Sequence, residues 1–389
     1  MGLRDLLLWG EVGFGAIFCG PDLCFSVYFC GMLQNWLKPL PLALAEQAKK
    51  APTHLLGGRV IPYTKELPDL KKVRVAIVGF EEEASNLIRE VLYSFAWAFP
   101  PATVVDLGNL RKADPGHLIP VLYELVTGRV TPIIIGAGVE ASKSQFLAYQ
   151  EAKALVNWVV VDEQLGSILG QEGILVPRHP LLFHFSLLGA QIHLLPPNEQ
   201  QLLEKHHFEV LRLGRMRSAL EETEPLLRDA DLLSIHLSSL KRSEAPATTA
   251  SPSGLFLEEA CQLAKYAGMS DKLSSFGVYG LDNERQLDVP SAHCAAQLVW
   301  YFMEGFFNRK GDYPASLKGL SEYVVELPAY NYHLTFWKSE LTGRWWLQVP
   351  VTSSSRQDRH RLIPCSFQDY QMACRQELPD RLFKAFKRF

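Results

Sequence analysis

Three buried apolar runs of this chain end one after another at places where α/β enzymes keep their chemistry, and two of them run into polar side chains. Pro132-Ile133-Ile134-Ile135 runs into Gly136-Ala137-Gly138-Val139. Trp158-Val159-Val160-Val161 runs into Asp162-Glu163-Gln164-Leu165-Gly166. Leu232-Leu233-Ser234-Ile235 runs into His236-Leu237-Ser238; after a loop, Ser253-Gly254-Leu255 opens a helix carrying Glu258 and Glu259. Few chemistries suit these residues. Asp162, His236 and His184 could hold a single cation, but a lone histidine at a strand end is more often a hydrogen-bonded structural group, and such an aspartate more often anchors a loop. Gly136-x-Gly138 begins like a phosphate loop but lacks the third glycine and a following Lys-Ser/Thr. His293 and Cys294 are helix neighbours whose side chains diverge, which argues against a Cys–His nucleophile. His206-His207 follows a helix and is expected at the surface.

The elements that must position these groups alternate. Val73–Val78, Val104–Leu107, Ile133–Ile135, Val159–Val161, Leu182–Phe185, Val210–Leu213, Leu232–Leu237 and Ser275–Leu281 read as buried strands. Helices are expected over Ala84–Ala98, Gly116–Val126, Ser142–Leu155, Asn198–Lys205 (with Asn198 as cap), Ser218–Arg228, Phe256–Ala267 and Ser291–Phe307. Continuous apolar strands separated by helices predict a mainly parallel eight-stranded sheet in a three-layer α/β/α sandwich. After Lys318 the pattern turns antiparallel. Tyr323–Glu326, His333–Trp337 and Trp345–Val349 alternate, with Thr342-Gly343 as a hairpin turn. Ser353–Arg361 reads as a polar loop. Of Trp345-Trp346, one indole is expected in the core and the other over a pocket or against a partner. Pro379–Phe389 reads as an amphipathic helix with Leu382, Phe383 and Phe386 on its apolar face, docked on the sheet edge, with a detached partner-binding tail as the alternative. The expected division is an N-terminal extension over 1–37, an α/β/α domain over 38–318, and a C-terminal hairpin and helix extension over 319–389.

The order and spacing of these strand ends resemble the ureohydrolase family of arginase, agmatinase and formimidoylglutamase. The resemblance covers roughly residues 70–310. It implies an eight-stranded parallel sheet with two Mn2+ ions at its carboxyl ends, held by four aspartates and two histidines from the motifs G-G-D-H, D-A-H-x-D and S-x-D-x-D. Carried over, the histidine of the first motif falls on Val139. In the second, Asp162 is kept, the histidine becomes Gln164 and the last aspartate becomes Gly166. In the third, both aspartates are replaced, by His236 and Ser238. The following turn survives as Ser253-Gly254-Leu255 and the helix glutamate as Glu259; a later glutamate falls on or near Gly280. Arg344-Trp345-Trp346, Ile363–Tyr370 and Leu378–Arg381 look like a bacterial branch labelled formimidoylglutamase or arginase-family protein.

These replacements remove the charge such a centre needs. Two dications about 3.5 Å apart repel by about 19 kcal/mol at an effective dielectric near 20. Asp162 is the one carboxylate left at six positions, Val139 and Gly166 offer no donor, and Gln164 and Ser238 are weak neutral donors. The expectation is a pseudoenzyme without catalytic residues, metal or other cofactor, which binds a small ligand or protein partner. The alternatives are an active formimidoylglutamase-type hydrolase cleaving a C–N bond of a linear amidine, with ligands recruited from elsewhere, and a purely structural subunit of an assembly. Homo-oligomers are common in the family.

The totals narrow the class further. The 389 residues are 48% hydrophobic and 21% charged, enough for a sizeable core. A net charge of −3 and a pI near 6.4 argue against a nucleic-acid or membrane-surface partner. Seven cysteines without a C-x-x-C pair fit a reducing compartment, hence the cytoplasm. Residues 1–31 have neither a clean spanning segment nor a clean signal peptide; they read as an extension upstream of a start at Met32, with a membrane or export segment and a structural arm as alternatives.

Overall fold

The structure, a computed structural model, describes residues 33–100, 103–152, 155–166, 174–175, 178–248, 250–281, 287–314, 317–349 and 361–387. The expectations for residues 1–31 and for most of the polar loop at 353–361 fall outside them. The first elements are β1 (Leu37–Lys38), α1 (Leu42–Lys50) and β2 (Val60–Pro62). Alternation then runs through β3 (Val75–Gly79), α2 (Glu82–Leu92), β4 (Val104–Leu110), α3 (Pro115–Thr127), β5 (Thr131–Ala137), α4 (Ser142–Glu151) and β6 (Val156–Val161); the next elements are β7 (Leu182–Ala190), α5 (Pro197–Lys205) and β8 (Glu209–Arg212). The short helices α6 (Leu213–Ser218) and α7 (Glu224–Arg228) precede β9 (Leu232–His236), α8 (Leu257–Gly268), β10 (Ser275–Tyr279) and α9 (Val289–Phe307).

The main sheet has ten strands in the order β1-β4-β3-β5-β10-β9-β6-β7-β8, with β2 also on β4. Every pairing is parallel except that of β1, which runs antiparallel along β4. The eight expected strands are all present. β1 and β2 are additions from the lead-in, too short to show a periodicity in the sequence. Strands β3 to β7 and β9 to β10 are buried along their whole length, because helices cover both faces. One face packs Ile77, Ile133, Val161 and Ile235 against α2, α8 and α9. On the other, Val78, Val105 and Ile134 face α3, while Trp158, Phe185 and Leu187 pack with Phe146 of α4. Among the described residues no helix is long and apolar enough to cross a membrane.

Several helix expectations need correction, and the helix read over Ala84–Ala98 ends at Leu92. The helix read over Ser218–Arg228 is split: Ala219 takes φ −155°, a 3-10 turn follows, and Pro225 sits in the first turn of α7. Asn198 does not cap α5; Pro196 holds the cap position without a side-chain bond, and Pro197 starts the helix with a preset φ.

The C-terminal region forms a separate antiparallel sheet, β11 (Leu320–Leu327), β12 (Tyr332–Ser339), β13 (Trp345–Gln348) and β14 (Leu362–Cys365), followed by α10 (Phe367–Cys374) and α11 (Asp380–Phe386). Gly343 makes the β12–β13 turn at φ 72°, as expected. Both Trp345 and Trp346 are buried, so neither covers a pocket. Trp345 stacks on Tyr370 at 4.7 Å, and Trp346 lies under the Arg228 guanidinium at 4.6 Å. Arg228 also donates to the carbonyls of Trp345 and Cys365, tying α7 to the second sheet. The apolar face of α11 is Leu382 and Ala385; Phe383 and Phe386 are exposed, contrary to the sequence reading.

Candidate functional site

Parity along the strands assembles the site. Trp158, Val160 and Asp162 on β6 and its end point to the same side as Leu232, Ser234 and His236 on β9, because alternate residues share a face. The register pairs Trp158 with Leu232 and Val160 with Ser234, which brings Asp162 beside His236. Asp162 Oδ2 lies 2.7 Å from His236 Nδ1. Asp162 Oδ1 accepts from Ser238 Oγ at 2.8 Å and from the Glu163 amide at 2.7 Å. His236 is fully buried and Asp162 nearly so. The Tyr279 ring meets the imidazole edge-on at 5.7 Å. His236 Nε2 is buried without a hydrogen-bond partner among the described residues.

A neutral network closes the floor beneath the histidine. Gln145 of α4 accepts from Tyr279 and Ser234 hydroxyls at 3.0 and 2.7 Å and donates to Ser275 Oγ at 2.8 Å. The Trp158 indole donates to Ser234 at 3.0 Å. Burial drives the Tyr279 phenol well above its ordinary pKa. These groups satisfy one another, so the space under His236 is filled rather than open.

The other positions named from the sequence fall at the ends of β5, β6, β9 and β10, four neighbouring strands. Val139 opens a 3-10 turn after β5 and packs half-buried against the apolar cluster that includes Tyr279. Gly280 follows β10 at φ 93°, a conformation that favours glycine over glutamate, and a Cβ there would stand 3.5 Å from Val139. Gly136 is likewise at φ 64°, and a Cβ would meet Ser85 Oγ at 2.2 Å. Gln164 and Gly166 are exposed, and no atom lies within 4 Å of a Cβ built on Gly166. Ser253-Gly254-Leu255 runs back along the turn after β9, with the Leu255 amide on the Ser239 carbonyl at 2.8 Å. Glu259 accepts from the Phe256 amide at 2.8 Å and from Arg217 Nε at 2.9 Å, so it caps α8 and fixes that turn.

The geometry separates one group that the sequence reading combined. His184 pairs with Asn157 near the start of β6, five residues before Asp162. At about 3.3 Å per residue it lies roughly 16 Å from Asp162 along the strand, too far to share a cation. Among the described residues no group of three or more His, Cys, Asp or Glu side chains is placed to hold a metal ion. The residues at the six carried-over positions therefore do not fit a dimanganese centre: Asp162 is the one carboxylate among them, and its oxygens already accept three donors.

Sequence reasoning passed over Glu163. It is buried beside Asp162, and Gln191 Nε2 donates to it at 3.1 Å. Gln191 also exchanges hydrogen bonds with Ser253, at 2.7 and 3.0 Å. Burial, then the Asp162 charge, raise the Glu163 carboxyl to about 7, against the pull of the Ser251 backbone. Its place directly after a strand-end aspartate was the available signal. Cys294 is inert for another reason: burial, with Glu244 and Asp288 behind it, raises its thiol to about 12.

No protein-family model matches the chain, and no curated protein matches it. Solved structures do. Formiminoglutamase from Trypanosoma cruzi with Mn2+ superposes with a TM-score of 0.55 at 16% identity, covering 61% of this chain and 95% of that one. An arginase superfamily protein from the same organism gives 0.55 at 17%, covering 61% and 94%. Formimidoylglutamase from Bacillus subtilis gives 0.53 at 15%, covering 64% and 91%. Such identities speak for the backbone and not for the chemistry, and on that footing the protein has the fold of the formiminoglutamase and arginase-superfamily structures.

Proposed function

We propose that this chain is a ureohydrolase-fold protein that does not hydrolyse amidines and works by binding a small ligand or a protein partner, in the cytoplasm. The observation that carries this reading is the closed hydrogen-bond set around Asp162. Its carboxylate is the last acid at the six carried-over positions, and it accepts from His236, Ser238 and the Glu163 amide in a buried setting. A metal ion would have to displace those donors and then meet Val139 and Gly280 on the neighbouring strands, which supply no side-chain ligand. Without a bound cation, hydrolysis through a metal-bound hydroxide, the route that the resemblance implies, is not available.

The test is a paired titration of purified full-length chain. Mn2+ binding is followed by calorimetry, while hydrolysis of formiminoglutamate, arginine and agmatine is followed by product release. The expected result is no saturable Mn2+ site and no turnover above buffer. Two equivalents of Mn2+ with metal-dependent hydrolysis of any of the three substrates would overturn the proposal.

A further inference from the structure

The opposite end of the sheet carries a feature unrelated to the strand-end site. Arg74 leads into β3 and Thr103 into β4, so both stand where strands begin. Arg309 follows α9. With Lys72, Asp271 and Phe306 they line a cavity of about 460 Å3, within the range of small-molecule sites.

The charges in this cavity are unbalanced. The Arg74 and Arg309 guanidiniums lie 5.3 and 4.0 Å from the centre of the same Phe306 ring. Arg309 is fixed in place, donating from Nε to the Gly268 carbonyl at 2.8 Å and from Nη2 to the Leu273 carbonyl at 2.9 Å. Burial lowers its pKa to about 9, Asp271 opposes that, and the nearby charge of Arg74 adds to it. Asp271 is the one acid in the lining, and its Oδ2 already accepts the Asp312 amide at 3.0 Å. Lys72, Arg74 and Arg309 form no ion pair with a described residue. The Phe306 ring attracts both guanidiniums, but Lys72, Arg74 and Arg309 repel one another with a single carboxylate, Asp271, in the lining, so an entering anion relieves that repulsion.

We propose that this cavity binds the dianionic phosphate group of a small molecule, with Arg74 and Arg309 directed at its oxygens and Lys72 at the mouth. Guanidinium geometry matches phosphate through paired N–H donors, and a lysine adds a point charge. Thr103 supplies a hydroxyl on the same wall. The small volume of this half-open cavity and the overall net charge of −3 favour a small ligand over a nucleic-acid strand, which needs a continuous basic surface.

Calorimetric titration of the full chain with inorganic phosphate and with pyrophosphate tests this. The expected result is saturable one-site binding, tighter for pyrophosphate and weakened by added salt. Lys72 and Arg74 are exposed, so K72E/R74E leaves the core intact, and its unfolding midpoint in phosphate-free buffer checks that. This variant is expected to lose at least about tenfold in affinity, and Arg74→Lys, which removes the fork and keeps the charge, to lose less. No saturable binding to the parent protein, or equal binding to the folded double variant, overturns the proposal. Neither outcome bears on the Asp162 site, which lies at the other end of the strands.

Discussion

Replacing Asp162 by alanine would strip three buried donors of their acceptor: His236 Nδ1 at 2.7 Å, Ser238 Oγ at 2.8 Å and the Glu163 amide at 2.7 Å. An unsatisfied buried donor costs about 1–3 kcal/mol, and three that share one group do not add in full, so the expected loss is about 3–5 kcal/mol. Asp162→Asn behaves differently. Its Oδ1 still accepts from Ser238 and Glu163, and an imidazole protonated on Nε2 can accept the new amide at Nδ1, for a cost of about 1–2 kcal/mol. With an unfolding entropy of about 2.1 cal/mol/K per residue, the 389-residue chain loses roughly 1.2 °C of Tm per kcal/mol. Calorimetry should therefore show Asp162→Ala down by about 4–6 °C and Asp162→Asn down by about 1–2 °C, with the same midpoints in EDTA and in Mn2+. A parent protein that gains several degrees in Mn2+, with both variants losing that gain alike, would refute the reasoning, because Asp162 would then be a ligand and not an anchor.

Other consequences follow from buried charge. Glu124 has neither carboxylate oxygen partnered among the described residues, and burial raises it from 4.5 to about 7. The folded state then holds a proton that the unfolded chain has released. This contribution is full below the ordinary glutamate value and is lost as pH rises towards 7. Glu124→Gln should accordingly be more stable than the parent by about 1–3 kcal/mol at pH 8 and equal to it near pH 3.5, as read by urea unfolding; a pH-independent difference would count against this. Arg89 forks onto Asp106 at 2.8 and 2.9 Å with both side chains fully buried, so Arg89→Met, which strands the carboxylate, should cost about 3–5 kcal/mol in the same assay. Arg228→Ala should loosen the second sheet from α7, seen as faster hydrogen exchange over residues 320–348 with β3 to β6 unchanged; unaltered exchange there would show that other contacts hold the sheet.

What the sequence disclosed follows from how local its signals are. Ile133–Ile135 and Val159–Val161 announce buried parallel strands because both faces must be apolar, and spacing between such runs was enough to expect the layered sandwich. β14 escaped because Pro364 argues against a strand, yet Pro364 sits opposite Trp346 in the register. The apolar face of α11 is legible only in part: Leu382 is buried as expected, but the larger Phe383 and Phe386 are exposed, and Ala385 joins Leu382 against the second sheet. At the strand ends, Asp162, His236 and Ser238 were all visible as polar residues after apolar runs. Their mutual hydrogen bonds depend on β6 and β9 being neighbours, which is a fact of topology and not of spacing. Glu163 with Gln191 and Ser253, and Arg228 under Trp346, link residues from 28 to 118 positions apart and leave no local trace. The separation of His184 from Asp162 likewise follows only from the register of β7 on β6.

On the reading proposed above, the ends of β5, β6, β9 and β10 hold no metal pair, and diffraction at the manganese absorption edge, from crystals of the full chain grown in excess Mn2+, checks this. The expected result is no anomalous peak beside Asp162, with the His236 and Ser238 hydrogen bonds intact. Two peaks about 3.5 Å apart at that carboxylate, the spacing of a dinuclear centre, would contradict it.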